Sequence, residues 1–249
     1  MKNHWVMDYE TLFDCFTAVF EDYKTNKTEV FVICRLRNDL PEFIKFLEQN
    51  IQNKEWHISY NGLGFDAQVT HYILDNYRGW DNVDGNDVAY TIYKYAQRTI
   101  EKSNNRDFSD YPQWKMVIGQ IDLFKLHHWD NPAKRSSLKW IQYSMDWENI
   151  LDMPIHHTSK IDNQEDLDTI LEYCINDVRS TKEIFNRSTD LIRLRKELTN
   201  TYGINMFSAS EPRISKEVFG YFLTRMLNIP KRDLRNMKTY RDIVKVKDI

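Results

Sequence analysis

An apolar segment runs directly into two carboxylates in the stretch His4-Trp-Val-Met-Asp-Tyr-Glu-Thr11. The two-residue period of a strand places Asp8 and Glu10 on the same face as Val6. We expect a strand over 5–8 whose end holds these carboxylates at most ~7 Å apart, beside the apolar middle of a sheet. Two like charges there are costly unless a cation lies between them, although Asp-x-Glu also occurs by chance on solvent-facing strands.

Strands and helices alternate on either side of this stretch. Strands are predicted over 5–8, 15–22, 28–35, 57–60 and 115–124. Helices are predicted over 38–51, 65–77, 87–102, 136–145 and from 162 to about 202, the fourth capped by Ser136, with shorter helices such as 216–227 after them. This order predicts an α/β fold with a mixed five-stranded sheet and helices on both faces.

A turn with two glycines follows the fourth predicted strand, in the stretch Asn61-Gly-Leu-Gly-Phe-Asp66. Glycine allows a backbone to approach a ligand closely, and the amide-rich start of a helix favours a negatively charged group. Asp66 would lie in the first turn of the next helix. By itself the pattern equally describes a plain turn followed by a helix cap.

Tyr173 and Asp177 lie four residues apart on the long predicted helix and therefore project to the same side. Their neighbours Cys174 and Val178 belong to the apolar stripe of that helix, so Asp177 is expected at the edge of a buried surface. A carboxylate in that position needs a partner. For this pair alone, a core tyrosine beside a solvated aspartate is the alternative.

Together, Asp8, Glu10, Asp66 and Asp177 form an oxygen-rich set of ligands. Such a set suits Mg²⁺ or Mn²⁺ and suits zinc poorly. Two such ions about 3.5–4 Å apart are the usual device for in-line phosphodiester cleavage, because together they stabilise charge on the attacking and leaving oxygens. The four carboxylates therefore predict a two-metal site, with Tyr173 beside the nucleophilic water.

The order and spacing of these motifs resemble the 3′–5′ exonuclease domain of family B DNA polymerases of phage type. The motifs Exo I, Exo II and Exo III of that domain correspond here to Asp8-Tyr9-Glu10-Thr11, to Asn61, Phe65 and Asp66, and to Tyr173 with Asp177. The stretches Ser137-Leu-Lys-Trp140 and Asp152-Met-Pro154 are less specifically similar to the segment before Exo III. The resemblance covers about residues 4–200 and implies a DnaQ-like, ribonuclease H-like fold in the DEDDy branch, which carries a tyrosine.

The resemblance also implies a catalytic role for each motif residue. Asp8, Glu10 and Asp177 would hold the first metal ion. Asp8 would bridge to the second, which Asp66 would hold directly or through water. Tyr173 would orient the attacking water.

Substrate contacts follow from the same resemblance. Asn61 and Phe65 would contact the terminal nucleotides, and the backbone near Thr11 and Leu12 would line the 3′ end of the DNA. Tyr9 departs from the family pattern, which usually has a small aliphatic residue there. That difference alters packing but leaves both neighbouring ligands in place.

The implied domain organisation is an exonuclease domain over 1–202 and a basic helical extension over 203–249. The extension would pack on the domain or lead to a polymerase module. The palm motifs of a polymerase and the domain that usually precedes Exo I are not seen. A standalone exonuclease and part of a longer polymerase both stay open.

Composition excludes several classes of protein. The 249 residues are 41% hydrophobic with only 7 Gly and 6 Pro, which excludes a disordered or low-complexity chain. The longest apolar run, residues 30–34, is far shorter than the ~20 residues of a membrane helix, and no secretion signal is visible. Three cysteines without Cys-x-x-Cys spacing argue against a disulfide framework. We expect a cytoplasmic location, in the host cytoplasm for a viral protein.

The net charge of −3 is unevenly distributed. Residues 187–249 contain 14 Lys and Arg against 7 Asp and Glu, so the rest of the chain is acidic. The basic segment is a candidate for phosphate contacts, and equally for a solvated face or a surface that docks a polymerase. The candidate cations are Arg193, Arg195, Lys196, Lys231, Arg232 and Arg235.

Other chemistry-bearing residues are given weaker interpretations. The histidine pairs 127–128 and 156–157 are not predicted to bind metal, because adjacent side chains on a strand point apart. Asp122 is either a neighbour of the site or a structural hydrogen-bond acceptor. The third predicted helix carries three tyrosines, Tyr90, Tyr93 and Tyr95. Such residues can stack on single-stranded bases, but on an amphipathic helix they more often belong to the core.

The favoured hypothesis is an enzyme that removes nucleotides from single-stranded or frayed DNA 3′ ends with Mg²⁺ or Mn²⁺, as in proofreading. One alternative is a catalytically idle ribonuclease H-like module that binds nucleic acid or a polymerase partner. Retention of five site groups at a cost in repulsion argues against it. Another alternative is an exonuclease acting on RNA, because the motifs specify the chemistry and say little about the sugar.

Overall fold

A central sheet of five strands organises the molecule, whose computed structural model describes residues 4–236. The strands are β1 (His4–Thr11), β2 (Phe16–Asp22), β3 (Thr28–Ile33), β4 (Trp56–Ser59) and β5 (Gly119–Asp122), in the order β3-β2-β1-β4-β5. The first three strands pair antiparallel, whereas β1, β4 and β5 pair in parallel. The sheet is therefore mixed, as predicted.

Helices cover both faces of this sheet. They are α1 (Leu40–Asn53), α2 (Asp66–Asn76), α3 (Gly85–Asn105), α4 (Leu123–Leu126), α5 (Leu138–Ser144), α6 (Gln164–Arg187), α7 (Thr189–Tyr202), α8 (Glu211–Leu227) and α9 (Lys231–Asn236). One face packs on α1, α2 and α3, and the other packs on α6 and its neighbours. The predicted two-sided α/β architecture is confirmed.

The alternation of β1 distributes its side chains between the two layers. Trp5, Met7 and Tyr9 join the aromatic cluster under α1 to α3, while Val6 belongs to the cluster under α6. The ring of Tyr9 is buried, and its hydroxyl lies 2.8 Å from Thr70 Oγ1. A tyrosine fits here because it fills the core on the side opposite Asp8, so the departure from the family pattern does not disturb the acidic face.

Several predicted boundaries were wrong. β1 runs to Thr11 because β2 pairs with it as far as Phe16, so Asp8 lies inside the strand. β5 covers only four of the ten predicted residues, since Asp122 caps α4 by accepting a hydrogen bond from the N–H of Lys125. The cap of α5 is Ser137 instead of Ser136.

The chain after α7 returns to the sheet before α8 begins. Met206 and Ala209 are buried, and Ser208 Oγ accepts from the N–H of Asp122 and donates to the carbonyl of Gln120. By contrast, no described residue of α8 is fully buried. The domain boundary expected at residue 202 stays a prediction. The packing of residues 206–209 favours a boundary after them, before α8.

Arg195 does not face solvent, so its predicted phosphate contact is wrong. The side chain is 1% exposed and donates hydrogen bonds to the carbonyls of Leu126, Leu191 and Ala209. An arginine is favoured there because its five N–H donors satisfy three carbonyls where chain segments meet. Of the other candidates, Arg193, Lys231 and Arg232 form surface ion pairs, and Lys196 is exposed. The side chain of Arg235 lies outside the described residues.

No helix in the described part of the chain is long and apolar enough to span a bilayer.

Candidate metal centre

The acidic residues of β1 lie at the carboxyl end of the parallel part of the sheet. Pairing between β1 and β4 ends at Val6 and Ile58, so Asp8 and Glu10 project where β4 has already turned away. The turn that begins at Asn61 follows β4. The diverging strand ends leave a crevice, which is the usual ligand position in open α/β sheets.

Helix α6 brings the third carboxylate to this crevice. Asp177 lies on the face that packs against β1, one turn after Cys174, whose Sγ lies 3.5 Å from the carbonyl oxygen of Asp8. One carboxylate oxygen each from Asp8, Glu10 and Asp177 lie within 4.8 Å of one another. The three groups can hold a metal ion together, and their hard oxygens suit Mg²⁺ or Mn²⁺.

The same proximity makes these groups difficult to ionise without a cation. Burial, followed by repulsion from Asp177 and Asp66, raises the pKa of Glu10 to about 8. Burial, followed by the charge of Asp66, also raises the pKa of Asp8 well above its usual value. Like charges share a poorly hydrated space, so without a cation the cluster retains protons near neutral pH.

Asp66 faces the cluster from the first turn of α2. Burial raises its pKa to about 7, and its Oδ1 is buried with no hydrogen-bond partner among the described residues. An orphaned buried carboxylate oxygen is costly, and a bound cation would remove that cost. Asp66 lies outside the group that meets within 4.8 Å, which fits a ligand to a neighbouring ion.

Asp122 shapes the turn that carries Asn61. Its side chain is fully buried, with Oδ1 accepting from the N–H of Asn61 at 3.1 Å and Oδ2 accepting from the N–H of Leu63 at 3.0 Å. Of the two roles considered for Asp122, the structure supports the hydrogen-bond acceptor. Gly62 is required for packing, because a Cβ there would lie 1.9 Å from Ser59 Oγ.

Asp177 is held by neighbours from two helices. Gln142 of α5 donates from Nε2 to Asp177 Oδ1 and to Ser180 Oγ, both at 2.8 Å. The hydroxyl of Tyr173 interacts with the same carboxylate, and burial followed by the charge of Asp177 raises the pKa of this tyrosine. Sequence reasoning missed Gln142, because no local pattern distinguishes a buried glutamine on a short helix.

A cavity of about 870 Å³ opens above the carboxylates. Asn61 lines it together with Asp8, Glu10 and Asp177, and so do Arg135 and Trp140 near α5. The motif Ser137-Leu-Lys-Trp140 by itself does not indicate a role for Trp140.

The other expected substrate residues lie outside the described lining of the cavity. Leu12 is fully buried and its N–H donates to the carbonyl of Cys15, while Thr11 is also buried. Phe65 packs against the aromatic cluster under α1 to α3. Contacts between these three residues and a 3′ end therefore stay predictions.

The histidine pairs and the aromatic residues Tyr90, Tyr93 and Tyr95 are not part of the described lining of the cavity above the carboxylates. His127 hydrogen-bonds Ser188 Oγ, and His157 hydrogen-bonds the hydroxyl of Tyr93. Tyr95 is buried and stacks on Tyr72, which confirms its assignment to the core.

Comparison with known proteins bears on the fold. No family model and no curated protein sequence matches this chain. The solved structure of the family B DNA polymerase from the hyperthermophilic archaeon Pyrobaculum calidifontis is similar, with a TM-score of 0.55 and 13% sequence identity. The similarity covers 91% of this chain and 29% of that polymerase chain. The chain thus has the expected ribonuclease H-like fold, and it matches under a third of the polymerase.

Proposed function

We propose that this chain is a metal-dependent 3′–5′ exonuclease that removes nucleotides from DNA ends. The observation that carries the proposal is the meeting of Asp8, Glu10 and Asp177 within 4.8 Å at the floor of an open cavity. Three carboxylates this close repel one another, and a bound divalent cation would offset that repulsion. The fold similarity to a DNA polymerase supports nucleic acid as the substrate.

Different carboxylates would bind each of two metal ions. Asp8, Glu10 and Asp177 would hold one ion, and Asp66 would hold a second that Asp8 shares. Bound divalent cations would neutralise the carboxylates and stabilise negative charge on a phosphodiester. The thiol of Cys174 is an unsuitable ligand, because burial and the neighbouring carboxylates raise its pKa well above the usual value.

The remaining residues position the reacting groups. The Tyr173 hydroxyl, which interacts with Asp177, would hold a water against the phosphorus of the terminal nucleotide. Gln142 donates a hydrogen bond to Asp177 Oδ1 and thereby orients this carboxylate. Asn61, held by Asp122 through its backbone, would contact the terminal nucleotide. Thr11, Leu12 and Phe65 complete the proposed substrate contacts.

The test is cleavage of matched 5′-labelled DNA and RNA oligonucleotides with Mg²⁺, with Mn²⁺ and with chelator. One-nucleotide ladders from the DNA 3′ end, absent with chelator, are expected. Ladders from RNA alone would support the RNA exonuclease instead. Metal-independent binding without cleavage of either substrate would support the idle module, and cutting from 5′ ends would contradict the polymerase-type assignment.

The form of the substrate end provides a second test. A terminal nucleotide can enter the cavity only when it is unpaired, and unpairing costs a few kcal/mol. Single-stranded or mismatched 3′ ends should therefore be shortened faster than fully paired ends of the same sequence. Equal rates on all three ends would contradict a proofreading role, in which the exonuclease serves a polymerase module of the same chain or of a partner.

A further inference from the structure

An exposed aromatic surface adjoins the proposed active site on α5. Trp140 is 60% exposed and Tyr143 is 67% exposed, with ring centroids 5.9 Å apart and planes inclined by 30°. Exposure of two large rings on one short helix forgoes the free energy of burying them. A ligand that covers them would recover that free energy.

The location of Trp140 beside the acidic cluster indicates which kind of ligand would cover this surface. Large exposed aromatic rings also occur at Phe108, Trp114, Phe219 and Phe222. Of the exposed aromatic residues that the structure describes, Trp140 is the one that lines the cavity holding Asp8, Glu10 and Asp177. A chain whose terminal phosphodiester lies over the carboxylates would pass this ring.

The charges around Trp140 match a phosphate backbone. Arg135 is exposed and lines the same cavity. Lys139 precedes Trp140, forms an ion pair with the exposed Asp152, and lies near enough to Asp177 that its charge favours the ionised carboxylate. A flat apolar ring in a cavity that Arg135 also lines, next to Lys139 in the sequence, fits a nucleobase and its flanking phosphates, and fits an apolar protein segment less well.

We propose that Trp140 is a base-stacking subsite, on which an unpaired base of single-stranded DNA lies as the strand enters the cavity, with Tyr143 extending the platform outward. This inference rests on the proposed function, because the cavity is the one that holds the proposed catalytic carboxylates. It adds a specificity determinant: the preferred substrate is a single strand with an intact base at the position that meets Trp140.

The experiment measures binding and cleavage separately. Binding of fluorescein-labelled eight-nucleotide oligodeoxyadenylates to the full chain is measured by anisotropy, with chelator and separately with Ca²⁺. One abasic position is moved stepwise from the 3′ end. Cleavage of the unmodified oligonucleotide is measured with Mg²⁺.

Trp140→Ala should weaken binding of the intact oligonucleotide between about 5-fold and 150-fold, the equivalent of ~1–3 kcal/mol for one stacked base. In the wild-type chain, one abasic position should weaken binding by a similar factor, and Trp140→Ala should remove that penalty. Trp140→Phe, which keeps a smaller ring, should retain part of it. Trp114→Ala is the matched control, because Trp114 is 79% exposed away from the cavity.

An abasic profile that is the same in the wild-type chain and in Trp140→Ala overturns the subsite. Failure of the wild-type chain to bind single strands under either condition overturns it as well. If the Trp140-dependent penalty is present without cleavage in Mg²⁺, the subsite stands and the exonuclease proposal fails. If cleavage occurs while the penalty is absent, the exonuclease proposal stands and the subsite fails.

Discussion

Asp8 is repelled by three neighbouring carboxylates, those of Asp66, Glu10 and Asp177, and burial together with this repulsion raises its pKa. Its side chain shares a face of β1 with an apolar valine and is only partly exposed, so hydration stabilises its charge poorly. Asp8 therefore lowers the stability of the metal-free protein, and it also has a proposed bridging role between two ions.

Replacing this residue separates the two effects. Asp8→Ala should reduce cleavage to the level of the chelator control, because both proposed ions lose a ligand. The melting temperature of the metal-free protein should rise, by about 2–4 °C for each kcal/mol of repulsion relieved. Asp190→Ala, which removes an exposed carboxylate on α7, is the control. Wild-type turnover by purified Asp8→Ala would contradict the assignment of Asp8 as a metal ligand in the proposed active site.

The raised pKa values predict how pH acts on the metal-free protein. Glu10 titrates at about 8 and Asp66 at about 7 in the folded state, whereas an unfolded chain ionises such groups near their ordinary values. Between these limits the folded state binds more protons, so its free energy of unfolding should fall as pH rises from about 5 to about 8. Thermal melting with chelator measures this.

Metal should reverse the trend, because ion binding requires the ionised carboxylates. Affinity for Mg²⁺ should rise through about pH 7 to 8, as Glu10 and Asp66 lose their protons. In Glu10→Gln, the fall in melting temperature with pH should be shallower. A melting temperature with chelator whose pH dependence is identical in Glu10→Gln and wild type would contradict the assignment of these shifts.

Tyr173 tests the role of a hydroxyl. Tyr173→Phe keeps the ring and removes the group that interacts with Asp177. Activity should fall by ~10²-fold or more, the usual size for a lost hydrogen bond to a reacting group, with metal affinity nearly unchanged. Calorimetric titration with Mn²⁺ and single-turnover cleavage measure the two quantities, and Tyr221→Phe on α8 is the control. A large loss of metal affinity would instead indicate a structural role.

At the scale of elements, the site depends on a contact between β5 and the turn after β4. The carboxylate of Asp122 accepts hydrogen bonds from backbone N–H groups of Asn61, Leu63 and Lys125. The same turn leads into α2, which begins at Asp66. Asp122, which is not among the proposed metal or substrate ligands, thus supports the turn that carries Asn61 and leads to Asp66.

Asp122→Asn tests this support. The amide keeps one acceptor oxygen and turns an NH₂ group toward N–H donors, leaving buried donors unsatisfied at a cost of ~1–3 kcal/mol. The melting temperature should fall by about 2–4 °C per kcal/mol, and cleavage should fall as the turn shifts. Asp130→Asn, a partly exposed acid on the loop after α4, is the control. An Asp122→Asn protein that melts and cleaves like the wild type would contradict the argument.

For the whole molecule, the question is where the folded unit ends. In the segment 206–209, Met206, Ser208 and Ala209 are buried, and the hydroxyl of Ser208 hydrogen-bonds the carbonyl of Gln120 and the N–H of Asp122 in β5. Helices α8 and α9 lie beyond it. We propose that the folded unit includes this segment and that the extension begins with α8.

Two shortened chains measure this boundary. A chain ending after Ser210 should melt within a few degrees of the full chain, because α8 buries no described residue completely. A chain ending after Tyr202 should lose several kcal/mol, since Met206 leaves its pocket and Arg195 loses an acceptor. Equal melting temperatures for the two chains would place the boundary at residue 202, as the sequence predicts.

The predictable part of the molecule is the part encoded within a few residues. The alternation from Trp5 to Glu10 predicts which side chains share a face of β1, and the four-residue spacing predicts that Tyr173 and Asp177 project together. Periodicity of this kind depends on backbone geometry alone. The motif order adds the fold, because the resemblance extends over most of the chain.

The sequence by itself thus determined a mixed α/β sheet and a set of carboxylates suited to Mg²⁺ or Mn²⁺. Only the tertiary structure decided that Asp122 and Gln142 hold the site, that Arg195 is internal, and that Trp140 reaches the cavity. Asp122, Gln142 and Arg195 each have hydrogen-bond partners in segments far along the chain, and the cavity beside Trp140 is lined by residues of β1 and α6. Burial and hydrogen bonding of a polar group depend on such distant segments, and a local pattern contains no information about them.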